Sequence, residues 1–317
     1  MKHVNVNKLY KDIYSFCVKK GLIRELSISL RKSESERFVE SDIHKSGLSV
    51  LDAVHCLIDK GRTIPLLEEI KKTVRKGDCV MEAGLGTGIL SFYSSQMSRK
   101  VTSCEINNDV FLLVNGAREY LQLKGYDLSN LFISKMDARK IKLDDMIDVL
   151  ISENIYTGMF FEKQIDIVKA LRKKLRKGGV VIPSGIESSL SLCNINITNS
   201  PQTFFVLNEI KERPSILSGY VLYDSINFRT VKVNNVNKRI VVKIKSSGLV
   251  NSILVCSDVL LPSGRVIGRE DTDFMNNDIV IPLDKVVAVR RGDNIQVTIK
   301  YSYGSSPSDA KIILKKL

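Results

Sequence analysis

The chain has 317 residues, 44% of them hydrophobic, and 48 Lys and Arg against 35 Asp and Glu give it a formal charge of +13. This apolar content supplies a large core and excludes global disorder, and no apolar run is long enough to span a membrane. This positive charge has two interpretations: the protein binds an anionic partner such as nucleic acid, or its surface is simply rich in solvated lysines. Six scattered cysteines without zinc-ligand spacing favour free thiols, so we expect no metal site and a cytoplasmic location.

The first two-thirds of the chain predict a helical segment followed by an α/β domain. Apolar residues at helical spacing indicate a helical preface over residues 1–46. Over residues 47–184, Val- and Ile-rich strands alternate with helices, as in "IDVLISE" followed by "EKQIDIVKALRKKL". Such alternation is typical of a parallel sheet covered on both faces, so we predict a Rossmann-like domain here. The basic run "LRKKLRKGG" is interpreted as a solvated helix face.

The pattern changes after Pro183. Short β-branched segments such as "RIVVKIKSS" and "NIQVTIKYSY" are separated by turn signals such as "PSG" and "RRGDN". Residues 185–317 therefore predict an antiparallel β-barrel or sandwich. Residues 197–219, which contain Pro201 and Pro214, interrupt this pattern, and we expect them to be partly helical.

A glycine-rich loop, "MEAGLGTGIL", follows the first predicted strand. Gly84, Gly86 and Gly88 allow tight turns and a close approach of the backbone to a ligand. A loop that binds the pyrophosphate of a dinucleotide has the spacing G-x-G-x-x-G. The spacing here is G-x-G-x-G, and Glu82 precedes the first glycine by two residues, which better suits the amino-acid end of S-adenosylmethionine.

Acidic residues end the next two predicted strands. Glu105 follows "KVTSC", where a carboxylate can accept both hydroxyls of a ribose. Asp137 in "SKMDA" is placed for an adenine amino group, and Met136 for contact with the purine ring. Ligands of open α/β sheets bind at the carboxyl ends of the strands. These residues, with Glu82 and the glycine loop, predict a site for S-adenosylmethionine.

Two further acids follow the predicted strand "IDVLIS". Glu153 and Glu162 lie nine residues apart in "SENIYTGMFFEKQ". Carboxylates at the open end of a buried strand can hold a cation, and we interpret Tyr156 and Met159 between them as pocket lining. In the alternative, the glutamates cap the following helix or pair with nearby lysines.

These segments resemble the protein arginine methyltransferase family, a branch of the class I S-adenosylmethionine-dependent methyltransferases. The resemblance runs from about residue 55 to the end of the chain and includes "DKGRT", "GTGILS", "ISENIYTGMFFEKQ" and "LRKGGVVIPS". It implies that Arg62 holds the cofactor carboxylate and that Glu153 and Glu162 form the double-glutamate loop that binds the guanidinium. It also implies a β-barrel after the proline and a homodimer, with residues 197–219 as the dimerisation arm.

The sequence departs from the family at two places. "SDIHKSGLSV" stands where the family has an aromatic helix, and "FMNNDI" at 274–279 stands where it has T-H-W. We predict an N-methyltransferase acting on a free, peptide or protein-bound guanidino acceptor, since a basic tail would be repelled by the positive surface. One alternative is an RNA-directed methyltransferase, although no N/D-P-P-Y/F motif is present. Another is a non-catalytic protein that keeps the fold.

Overall fold

A computed structural model describes residues 5–33, 48–196, 204–207, 213–272 and 275–317. Most of "SDIHKSGLSV", much of the predicted arm at 197–219 and part of "FMNNDI" lie outside the described residues. No helix among the described residues is long and apolar enough to cross a membrane.

The described residues form two compact units. The first contains the chain up to Asn154 together with Asp166–Ser184 and Leu261–Ile267. The second contains Ile155–Ile165, Gly185–Leu260 and Gly268–Leu317. The chain therefore changes unit after Ser184, but the segment with Glu162 belongs to the second unit and a late segment to the first. The division into domains at residues 46 and 184 stays a prediction.

Four helices open the first unit. α1 is Val6–Lys19, α2 Leu22–Ser33, α3 Val50–Ile58 and α4 Lys60–Thr73. Side-chain caps fix the start of α3, where Ser49 and Asp52 form a capping box, and of α4, where Asp59 accepts from the Arg62 backbone N–H.

A five-stranded parallel sheet forms the core of the first unit. Its strands run in the order β3-β2-β1-β4-β5, so the strand order reverses beside β1. The strands are β1 (Cys79–Ala83), β2 (Lys100–Glu105), β3 (Leu131–Lys135), β4 (Ile147–Ser152) and β5 (Leu175–Ile182), and the helices between them are α5 (Ile89–Ser95), α6 (Asn108–Leu123) and α7 (Gln164–Leu171). The central strand β1 is buried along its whole length, which explains its apolar sequence. The predicted Rossmann-like architecture is confirmed.

The basic run after α7 is not a helix face. The helix ends at Leu171, a 3-10 turn covers Arg172–Lys174, and β5 begins at Leu175. Pairing of β5 with β4 overrides the helical spacing of the sequence, since Leu175 lies opposite Ile147.

The second unit is built from antiparallel sheets. One has the order β7-β13-β11-β6-β8, with β9 also paired to β6, and a second has the order β10-β14-β15. The strands are β6 (Gly185–Asn194), β7 (Phe205–Val206), β8 (Ser215–Ile216), β9 (Val221–Asn227), β10 (Asn235–Lys243), β11 (Gly248–Leu260), β13 (Ile279–Val289), β14 (Asn294–Ser302) and β15 (Lys311–Lys316), while β12 (Val266–Ile267) belongs to the first unit. Alternating apolar side chains of these strands share one core. The predicted antiparallel β-domain is confirmed.

The described parts of the 197–219 segment are mostly extended, and Leu207 has a 3-10 conformation. Phe205–Val206 pairs with Val280 and Ile279 of β13, and Ser215–Ile216 pairs with the end of β6. Helical structure in these described parts is limited to Leu207, because the backbone groups of Phe205–Val206 and Ser215–Ile216 join the ladders of neighbouring strands.

Candidate active site

The glycine loop connects β1 to α5 in a conformation that requires glycine. Gly84, Gly86 and Gly88 have φ values of 81°, 52° and 79°, in the left-handed region that side chains disfavour. A Cβ added to Gly84 would lie 2.5 Å from the Asn154 side-chain oxygen. The amide of Asn154 in turn donates to the Ala83 carbonyl at 2.9 Å and fixes the end of β1. The loop therefore has a fixed shape beside the carboxyl edge of the sheet.

Glu105 lies at the end of β2 and contacts this loop. One carboxylate oxygen accepts from the backbone N–H of Leu85 at 3.0 Å, and the other from that of Asn107 at 2.8 Å. A carboxylate has about four acceptor positions, so this orientation leaves lone pairs for hydroxyl donors. The geometry is compatible with the predicted contact to a ribose, which stays a prediction.

Glu82 is buried within β1, two residues before the first glycine. The Ser91 hydroxyl donates to the Glu82 carboxylate. The hydroxyl oxygens of Ser91 and Ser103 are 2.5 Å apart. Burial raises the pKa of Glu82 to about 8, against the lowering effects of the Ser91 hydrogen bond and the Arg62 charge. A bound cation would favour the ionised carboxylate. Neither serine was singled out from sequence, because small polar residues inside a strand and a helix carry no distinctive pattern.

Asp137 follows β3 as predicted but is already paired. Its carboxylate accepts from the backbone N–H of Arg139 at 2.9 Å and from the Arg139 guanidinium at 2.7 Å. These contacts lower the pKa of Asp137, with the Arg139 side-chain hydrogen bond as the largest cause. The half-buried Met136 donates its backbone N–H to the Glu105 carbonyl at 2.9 Å. The structure thus places both residues beside Glu105, and their adenine contacts stay predictions.

Arg62 and Glu153 form a buried ion pair in the first unit. The exposed side-chain fractions are 10% and 7%. Arg62 also donates to the Cys56 carbonyl at 3.2 Å, while its Nε is buried without a partner among the described residues. A buried donor without a partner is costly, which leaves Arg62 ready to bind a carboxylate. The pair joins a residue predicted to bind the cofactor to the first glutamate of the predicted acceptor loop.

Glu162 belongs to the second unit, in a loop held by hydrogen bonds from distant segments. The Thr157 hydroxyl donates to the Asn277 carbonyl at 2.6 Å, and Gly158 N–H donates to the Ser257 hydroxyl at 2.9 Å. The Tyr301 hydroxyl donates to the Gly158 carbonyl at 2.7 Å. Sequence reasoning missed these anchoring residues, because they lie 99 to 143 positions away along the chain.

The backbone of this loop is strained on both sides of Phe160. Met159 and Phe161 have φ values of 59° and 60°, and neither is glycine. Such conformations cost about 1 to 3 kcal/mol each and occur mostly at functional sites. Met159 is fully buried, while Tyr156 is half-buried and packs edge-on against Phe161 at 5.2 Å. Their predicted role as pocket lining stays a prediction.

No family model matches the chain. An uncharacterized protein of Methanocaldococcus jannaschii is 23% identical over 81% of this chain and 94% of its own length. Protein arginine N-methyltransferase 2 of Dictyostelium discoideum is 28% identical over 57% of this chain, which spans 38% of that protein. Protein arginine N-methyltransferase 1 of Saccharomyces cerevisiae is 23% identical over 76% of both chains.

Two solved structures share the fold. The Trypanosoma brucei protein arginine methyltransferase 1 enzyme–prozyme heterotetramer, complexed with AdoHcy, covers 83% of this chain and 92% of its own with a TM-score of 0.68 and 18% identity. The match to Arabidopsis thaliana protein arginine methyltransferase 10 covers 83% of this chain and 96% of that chain, with a TM-score of 0.65 and 16% identity. Identities this low show the fold alone. Together with the sequence relatives, they confirm the predicted resemblance of this chain to the protein arginine methyltransferases.

Proposed function

We propose that this protein is an S-adenosylmethionine-dependent N-methyltransferase that acts on a guanidinium group. The sequence relatives named as arginine methyltransferases and the shared fold support the enzyme class and the cofactor. The observation that carries the proposal for this chain is the buried Arg62–Glu153 pair. It couples a predicted cofactor residue directly to a predicted acceptor residue.

The residues at the carboxyl edge fit S-adenosylmethionine. The Nε of Arg62, which has no partner in the part of the chain that the structure describes, suits the cofactor carboxylate, and buried Glu82 suits the neighbouring ammonium group. Glu105, oriented by two backbone N–H groups, has acceptor capacity for ribose hydroxyls, and Gly86 of the glycine loop has open space around it. When bound, the cofactor supplies an electrophilic methyl group on a sulfonium. Met136 and Asp137 are proposed to contact the adenine.

Glu153 and Glu162 are proposed to hold the acceptor. A guanidinium is a permanent cation with a planar fork of donors, and carboxylates bind it through charge-assisted hydrogen bonds. Holding the fork orients one terminal nitrogen for attack on the methyl carbon, and such positioning supplies much of the acceleration. Withdrawal of positive charge toward the carboxylates localises the nitrogen lone pair, and one glutamate accepts the released proton. A lysine ammonium would fit less well because it is not planar.

The remaining proposals concern the substrate and the setting. A surface of formal charge +13 disfavours arginine-rich tails, so we propose a free guanidino compound, a peptide or one specific protein as acceptor, with Tyr156 and Met159 lining its pocket. We also propose a homodimer, which light scattering of the purified protein tests. All six cysteines are buried free thiols, in keeping with a proposed cytoplasmic location.

Transfer of labelled methyl groups from S-adenosylmethionine into fractions of the protein's own cell extract tests the function. Small molecules, protein and RNA are separated, and a Glu153→Gln variant is assayed beside a Glu119→Gln control on the exposed face of α6. We expect label in a guanidino compound or in methylarginine, lost only in Glu153→Gln. Label in RNA would favour the RNA-directed alternative. Cofactor binding without label in any fraction would favour a non-catalytic protein.

A further inference from the structure

Two basic segments of the first unit share one sequence pattern. Residues 71–77 read "KKTVRKG" and residues 172–178 read "RKKLRKG", so each ends in an apolar residue followed by Arg-Lys-Gly. Neither segment contains an acidic or aromatic residue. The first leads into β1 and the second into β5.

The parallel sheet brings both segments to the same edge. β4 pairs with β1 on one side and with β5 on the other, so that Val80 and Val180 both lie opposite Val149. The segments therefore enter the sheet at the amino ends of strands that are two places apart, about 10 Å at normal strand spacing. Eight exposed basic side chains lie here, which we call the basic edge: Lys71, Lys72, Arg75, Lys76, Lys173, Lys174, Arg176 and Lys177.

Local hydrogen bonds give the basic edge a defined shape. Asp78 accepts the backbone N–H of Arg75 at 2.7 Å and closes a tight turn before β1. In β5 the register with β4 shifts between Leu175 and Val180, which places Arg176 and Lys177 in the irregular part of an edge strand. Asp148 pairs with Arg176 at 3.3 Å. Most of the positive charge of these two segments therefore faces solvent.

We propose that the basic edge binds the phosphodiester backbone of a nucleic acid. Closely spaced Lys and Arg side chains replace the counterions of phosphates, and this term supplies most of the affinity of nonspecific complexes. The absence of aromatic side chains from both segments favours backbone contacts over stacking of bases. Anionic charge along a chain is complementary to two exposed basic segments about 10 Å apart, on either side of β4, whose Asp148 is paired with Arg176.

This surface is separate from the site of the proposed function and does not depend on it. The glycine loop and Glu105 lie at the carboxyl ends of the strands, whereas the basic edge lies at their amino ends. Strands of five residues span about 17 Å. The proposed contacts with the nucleic acid therefore lie at a distance from the carboxyl edge.

Binding of a fluorescent 20-base-pair DNA duplex, measured by anisotropy between about 50 and 200 mM KCl, tests the proposal. The edge variant carries Lys76→Gln, Lys173→Gln, Lys174→Gln and Lys177→Gln. Each lost phosphate contact reduces the slope of log affinity against log salt by about 0.9, so we expect a reduction of about 3.6 and at least about tenfold weaker binding at 50 mM.

A matched control removes the same charge from the second unit. It carries Lys243→Gln, Lys285→Gln, Lys300→Gln and Lys311→Gln, all exposed. We expect its salt slope to change by less than about 1. A third variant with Lys→Arg at the four edge positions should retain the affinity, which shows that lost binding reflects lost charge.

Three results would overturn the proposal. The wild-type protein could fail to bind the duplex, the edge and control variants could lose equal affinity, or the protein could bind phosphatidylserine vesicles through the edge but not the duplex. Methyl transfer to a guanidino acceptor should be unchanged in the edge variant, so failure of this proposal and failure of the proposed function are distinguishable.

Discussion

The buried Arg62–Glu153 pair allows a quantitative prediction. Removing one partner leaves a charge whose side chain is about 90% or more buried without compensation. Such a loss costs about 3 to 5 kcal/mol, whereas replacing both partners by apolar residues of similar volume is often neutral. We therefore expect Arg62→Met and Glu153→Met each to lower the free energy of unfolding by about 3 to 5 kcal/mol. The double variant should lie within about 2 kcal/mol of the wild type.

Urea unfolding followed by far-ultraviolet circular dichroism measures these values. With a slope of about 3 kcal/mol per molar urea, each single variant should lower the midpoint by about 1 to 1.7 M. Where the two compact units give separate transitions, that of the first unit is fitted by itself. Additive losses in the double variant, or single losses below about 1 kcal/mol, would refute the conclusion that the two charges compensate each other.

Three further predictions concern the loop, a buried acid and the anchoring contacts. Gly84 has a φ of 81°, and Gly84→Ala adds a Cβ 2.5 Å from the Asn154 side-chain oxygen, so calorimetry should show no cofactor binding. Gly77→Ala, where the added Cβ meets open space, should leave cofactor binding unchanged. Burial raises the pKa of Glu82 from 4.5 to about 8, so the folded state holds a proton that the unfolded chain loses. The free energy of unfolding should therefore fall as the pH rises from 4.5 to about 8, by up to about 1.4 kcal/mol per pH unit. Glu82→Gln should remove this pH dependence in urea titrations. Thr157→Val removes the hydroxyl that donates to the Asn277 carbonyl at 2.6 Å. This change should lower kcat about tenfold and leave the cofactor affinity unchanged. An unchanged kcat would contradict the anchoring role of Thr157.

The positions of the proposed cofactor residues at one edge of the sheet were predictable, because strand–helix alternation indicates a parallel sheet whose strands all end at the same edge. Glu82, Glu105 and Asp137 each lie near the end of an apolar strand, and parallel strands bring such ends to one edge. The pairing of Asp137 with Arg139 was also within reach, since the two residues are two positions apart. Asp side chains commonly accept the backbone N–H two residues further along the chain, as Asp137 does here.

Other features depend on tertiary contacts that the sequence does not encode locally. The anchoring of Thr157 by Asn277 joins residues 120 positions apart. The run "LRKKLRKGG" has the spacing of a helix, yet pairing with β4 makes Leu175 the start of a strand. Because Leu175 begins β5, the following Arg176 and Lys177 lie at the amino edge of the sheet, where they form part of the basic edge.

We propose that the protein methylates a guanidinium nitrogen held by carboxylates. The most direct test identifies the labelled atom by acid hydrolysis and mass spectrometry of the acceptor, for the wild type, Glu153→Gln and Glu119→Gln. We predict label on a guanidino nitrogen, reduced at least about 100-fold in Glu153→Gln and unchanged in Glu119→Gln. Label on a different nucleophile, or equal label in a folded Glu153→Gln protein, would contradict the account.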